Sequence, residues 1–207
     1  MRKLLVLALA GVACAANANI IYDNGGPNGV DGNEMTLWRQ SEDITNTGVN
    51  TYNTLVFWTI TAGTNIHDVD MQLSFDDGAG NPGLVALDFQ LAVNGVATGN
   101  TPLGLTEYKN TVTFSDVTAS GSFVYHIGLL GNYEELAQNY DGVYWETTDP
   151  NGTNTGRESL NDTQNNWFDN GNEHAFRLEE NVTPEPCSMV ALGLGAVALV
   201  RRRKAAK

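Results

Sequence analysis

The chain has 207 residues, 42% of them hydrophobic, with 24 Asp and Glu against 11 Lys and Arg for a formal net charge of −13. A surface of that sign repels phosphate backbones, which excludes nucleic acid as a partner. The two cysteines, Cys14 and Cys187, both fall outside the central segment, which therefore has neither a disulfide nor thiol chemistry.

In chain order, Arg2 and Lys3 precede an apolar run from Leu4 to Ala13, and small residues follow up to Ala16-Asn17-Ala18. This is the order of a secretory signal peptide, a helix within residues 1–18 that signal peptidase is expected to remove between Ala18 and Asn19. About ten apolar residues rise roughly 15 Å as a helix, too little for a ~30 Å hydrocarbon core. Ala13-Cys14 also has the look of a lipoprotein processing site, although Gly11 stands where that motif usually carries Leu.

Residues 19–183 have the size of one domain with a substantial core. They hold 23 acidic side chains against only Arg39, Lys109, Arg157 and Arg177, so this segment stands at −19. Its first stretch, Asp23 to Glu34, reads DNGGPNGVDGNE and offers the hard oxygen ligands that calcium takes at Asp23, Asp31, Asn33 and Glu34. Asp23 and Glu34 have the first-to-twelfth spacing of an EF-hand loop. The interior departs from that loop, with Gly25 at the third position and Asn28 where glycine is required. A structural calcium outside the EF-hand pattern and an ordinary Asn/Gly turn cluster are the two alternatives.

Strands are expected over Met35–Gln40, Tyr52–Ile60, Val69–Phe75, Leu87–Val93, Glu107–Phe114, Phe123–Leu130, Gly142–Thr147 and His174–Leu178. The period-two pattern is cleanest where Val69, Met71, Leu73 and Phe75 alternate with Asp70, Gln72 and Ser74. Turns are expected at Asp31-Gly32, Asp77-Gly78, Asn94-Gly95, Asp141-Gly142 and Asn170-Gly171, whose glycines supply positive φ. Only Tyr133 to Gln138 offers one or two helical turns, and Asp149 to Asn172 is expected to be a long loop. Many short antiparallel strands imply an all-β fold, a single antiparallel β-sandwich of jelly-roll type.

The chain closes on Thr183-Pro184-Glu185-Pro186, an uncharged stretch from Cys187 to Val200, and Arg201-Arg202-Arg203-Lys204. As a hydrophobic helix the stretch rises about 21 Å, a marginal span, and the basic cluster would hold that end in the cytoplasm. Residues 184–207 resemble the PEP-CTERM sorting tail of exported proteins in Gram-negative bacteria, also catalogued as an ice-binding protein C-terminal motif. The resemblance implies cleavage near Pro184, Glu185 and Pro186 by a membrane exosortase, with Arg201, Arg202 and Arg203 completing the motif. It implies transient anchoring followed by release to the cell surface or extracellular space, in bacteria that make exopolysaccharide. Strings within the domain also resemble a recurring domain of exported PEP-CTERM proteins: GNEMTLWRQSED from Gly32, LVFW, YHIGL, VYWETT from Val143, and NEHAFRL from Asn172. That likeness implies a β-sandwich with no established biochemical activity.

Catalytic signatures are missing. His67, His126 and His174 lack zinc-binding spacing, and no GxSxG elbow occurs. A glycan hydrolase needs two carboxylates across a cleft, and among so many acidic residues the sequence nominates no pair. Asp76-Asp77, Glu134-Glu135 and Glu179-Glu180 read as solvated charges. Trp58 within LVFWTI reads as core, whereas Trp145 and Trp167, beside polar loops, are candidates for sugar-stacking platforms. The expectation is an exported, non-catalytic protein of the cell surface or exopolysaccharide matrix, without a cofactor other than calcium. The alternative is an extracellular carbohydrate-binding module whose partner is polysaccharide.

Overall fold

The computed structural model describes residues 18–132, 142–150, 156–160 and 166–181. The expected signal helix, the Tyr133–Gln138 turns and the apolar tail helix lie outside the described residues. Among those described, no helix is long and apolar enough to cross a membrane. The strands between Ile20 and Glu180 make one compact unit.

Two very long strands organise this unit, β3 (Trp38–Thr61) and β7 (Thr106–Asn132), which pair antiparallel from Gln40↔Leu129 to Thr61↔Thr106. Each was expected as two separate strands. Gly48 and Gly121 stand opposite one another at φ +96° and +104°, values that side chains other than glycine rarely adopt. A bulge between Tyr52 and Thr54 shifts the register nearby. Glycine and bulge bend the ladder without breaking it, so strand continues through a stretch whose small polar residues read as a break.

Along its other edge β7 carries β4 (Asp68–Asp76), which carries β5 (Pro82–Ala92), while β6 (Asn94–Ala97) pairs with the N-terminal half of β7. The free edge of β3 is shared by β9 (Arg157–Leu160), β12 (Phe176–Glu180) and β8 (Val143–Thr148). β1 (Asn19–Gly25) lies beside β12, β2 (Gly32–Glu34) and β11 (Glu173–His174) pair with β8, and β10 (Phe168–Asp169) pairs with β9. The pairings among β2 to β12 are antiparallel, and the all-β expectation holds for the described residues.

Three local expectations are corrected. The Asp149–Asn172 loop contains the β9–β10 pair, because Phe168 and Asp169 close onto Glu158 and Arg157. Asn94-Gly95 begins β6 instead of turning. A Cβ at Gly95 would lie 2.3 Å from Asn65 Nδ2 and 2.7 Å from Asn110 Oδ1, so glycine serves close approach there. Gly32 likewise starts β2, with Tyr144 Cβ 2.9 Å from where its own would be. The Asp77-Gly78 and Asn170-Gly171 turns stand as read, with glycine φ of +88° and +74°.

The main core draws on both halves of the bent ladder. Ile44, Tyr125, Ile127, Leu129, Met71 and Leu73 come from one half, and Leu55, Phe57, Val112, Val143, Trp145, Phe176 and Leu178 from the other. Each such side chain contributes ~1.5–3 kcal/mol on burial. Val56 and Trp58 point away from it into a second cluster with Ala175, and the Arg177 guanidinium lies 5.1 Å from the Trp58 ring. Both faces of this segment are covered, which is why LVFW is apolar at four successive positions.

Candidate functional site

The β4–β5 connection is a tight acidic turn. Asp77 Oδ1 accepts from the amides of Ala79 (2.7 Å) and Asn81 (3.1 Å), Asp77 Oδ2 accepts from Asn81 Nδ2 (3.1 Å), and Asp76 Oδ1 accepts from the Gly78 amide (2.7 Å). The Asn81 side chain and then the two amides hold the Asp77 carboxyl below its ordinary value, so it stays ionised. Arg157 of β9 donates from Nε to Gly80 O at 3.0 Å and faces Asp169 Oδ2 at 3.6 Å, tying β9 and β10 to this turn.

Between them opens a groove of about 380 Å³, lined by Asp77, Asn81, Pro82, Gly83, Asn166, Trp167 and Phe168. Trp167 is half-buried, and its Nε1 is buried without a hydrogen-bond partner. Phe168 is 55% exposed. Two aromatic side chains among the same lining residues as one carboxylate and two side-chain amides match the amphipathic faces and hydroxyl edges of a sugar ring. Behind the turn, Asp76 Oδ2 lies 2.9 Å from Nε2 of buried His126. His126 Nδ1 is buried without a partner, as is Oδ1 of Asp43, its neighbour across the ladder, whose carboxyl is pushed up by burial.

Trp145 is not a platform. It is fully buried, donates from Nε1 to Ala175 O at 3.0 Å, and stacks on His174 with ring centroids 4.7 Å apart. It shares the inward parity of Val143 on β8, and that alternation outweighs the polar loops on either side.

The calcium candidates each accept hydrogen bonds within the chain. Asp23 accepts from the Gly25 amide (2.9 Å), Asp31 from the Gly32 amide (2.8 Å), and Glu34 from the amides of Thr36 (2.7 Å) and Leu37 (2.9 Å). Asn33 Oδ1 accepts from Asn172 Nδ2 (2.9 Å) and lies 3.2 Å from His174 Nε2. Among the described residues, no three or more His, Cys, Asp or Glu side chains are grouped so as to hold a metal ion. Ala18 and Asn19 are exposed where β1 begins. The sorting residues Pro184–Pro186 and Arg201–Arg203 lie outside the described residues.

A buried polar cluster was missed by motif reading, and parity along the strands is the signal that could have found it. Glu42 shares parity with inward Ile44, and His174 with inward Phe176. Glu42 Oε1 meets His174 Nδ1 at 2.5 Å and accepts from the His174 amide at 2.7 Å. Burial lowers the His174 pKa to about 3 and raises Glu42 well above the usual range, so both are neutral. The His174 proton then sits on Nε2, facing Asn33 Oδ1, and the Glu42 carboxyl donates to Nδ1. Burial, and next the neighbouring Glu42 carboxyl, which cannot ionise alongside it without repulsion, push Glu173 up to about 7; on the opposite side of the ladder's second half, burial and then Glu107 do the same to Glu146. Glu42 and His174 are closed off from solvent and act as structural links between β3 and β11.

No protein-family model, curated protein or solved structure matches this chain.

Proposed function

We propose that this chain is an exported, non-catalytic protein of the bacterial cell surface or exopolysaccharide matrix, processed through a PEP-CTERM tail by an exosortase. The observation that carries this reading is the order of residues along the tail: Pro184-Glu185-Pro186, an apolar stretch too short for a comfortable anchor, and Arg201 to Arg203 behind it. A domain at −19 with few basic side chains suits a hydrated extracellular setting. The two halves of the bent β3–β7 ladder, whose inward residues meet in one core, are read as the two layers of a jelly-roll sandwich. The test is the intact mass of protein extracted from the surface of an exosortase-bearing host. The expected species begins near Asn19 and ends near Pro184 to Pro186, and a wild-type species retaining Arg201 to Lys207 overturns the sorting assignment.

A second reading, extracellular carbohydrate binding, is favoured by the groove at Trp167. Asp77 is the one carboxylate among its described lining residues, an arrangement that supports holding a sugar over hydrolysing one. Retention on host exopolysaccharide, measured for the wild type and Trp167→Ala, tests it.

A further inference from the structure

Strand β5 ends the sheet: it pairs with β4 along one edge, and no strand pairs with its other edge among the described residues. Its sequence, PGLVALDFQLA, is strongly apolar, yet Pro82 alone is buried. Leu84 is 76% exposed and Leu87 38%, and Ala86, Gln90 and Ala92 are open as well. An open edge offers unpaired amides and carbonyls to any incoming strand, and soluble proteins blunt such edges with lysine, internal proline or inward charge. β5 has none of these protections. Its proline is its first residue, and its one charge, Asp88, accepts from Gln72 Nε2 of β4 at 3.1 Å.

Charge selects the occupant. From Gly78 to Thr106 Asp88 is the sole charged residue, in a domain that otherwise carries an acid at short intervals and stands at −19. Two copies meeting through other parts of this surface bring like charges together, whereas two β5 edges do not. The uncharged strip continues onto β6, all four residues of which are exposed. We propose that β5 is a self-association edge: two copies of this chain pair their β5 strands antiparallel about a two-fold axis, continuing one sheet into the next. Such a contact is isologous and closes at the dimer. It depends on neither the sorting tail nor the Trp167 groove.

The experiment is sedimentation equilibrium of the protein purified from its exporting host, over a concentration series and at two salt concentrations, with hydrogen exchange on the same samples. The expected result is a concentration-dependent dimer that tightens as salt screens the remaining like charges, with β5 amides slowed in the dimer. Leu84→Lys and Ala86→Lys should each raise the dissociation constant tenfold or more. Leu103→Lys, 64% exposed in the wild type and off the strand, should leave it unchanged. Circular dichroism confirms that each variant is folded, and if Leu84→Lys is not, Ala86→Lys decides. A monomer throughout the series overturns the proposal, including one whose β5 amides slow only when polysaccharide is added. So does a dimer indifferent to both β5 lysines, or one weakened equally by Leu103→Lys.

Discussion

Glu146 is fully exposed to the consequences of burial: its side chain is inaccessible to solvent, and burial and Glu107 raise its pKa from 4.5 to about 7. A carboxyl raised on folding holds its proton more tightly in the native state. Its favourable contribution is whole below pH about 4.5 and is lost as pH rises through about 7. The gap between the two values corresponds to about 3 kcal/mol at most, and local relaxation reduces this, so ~1–2 kcal/mol is expected between pH ~5 and ~8. Glu146→Gln keeps the shape and removes the ionisation. Urea unfolding of both proteins across that range isolates the effect, since the difference between their curves cancels other titrating groups. His174 is one such group: its pKa of about 3 gives stability that is present above its ordinary value and lost as pH falls through about 3, the opposite sign. The variant should gain on the wild type by ~0.5–1 M in urea midpoint as pH rises, taking ~2 kcal/mol per molar. Curves that stay parallel from pH ~5 to ~8 refute the assignment of Glu146 as a buried carboxyl that ionises near neutrality.

Trp145→Ala should cost ~3–5 kcal/mol, because it empties a fully buried aromatic site and orphans the Ala175 carbonyl; thermal unfolding measures it, and a loss below ~1 kcal/mol contradicts the core placement. Trp167→Ala should leave the melting temperature within a few degrees of wild type while reducing retention on exopolysaccharide, and unchanged retention removes the sugar platform. Glu185→Ala, or deletion of Arg201 to Lys204, should leave the tail uncut or the protein mislocalised, read by intact mass; normal cleavage of both variants dissociates the motif from processing.

The sequence by itself determined the class of this protein. Alternating Val69, Met71, Leu73 and Phe75, and the Asp77-Gly78 turn, specify strand and turn through local sterics and side-chain parity, and neither needs a distant partner. The export signals proposed for this chain are equally local, since charge, apolar length and small residues are read as a linear order. Continuity of β3 and β7 was decided by the tertiary structure: Gly48 is a break to any local criterion until Gly121 lies across from it and the ladder bends at both. The fates of Trp145 and Trp167, alike in sequence beside polar loops, were decided the same way. Trp145 lies on the face of β8 that meets Phe57, His174 and Phe176, whereas Trp167 meets the Asp77–Asn81 turn, some ninety residues earlier in the chain. Burial is a property of which surfaces the fold brings together, so a side chain's chemistry is legible in sequence while its exposure is not.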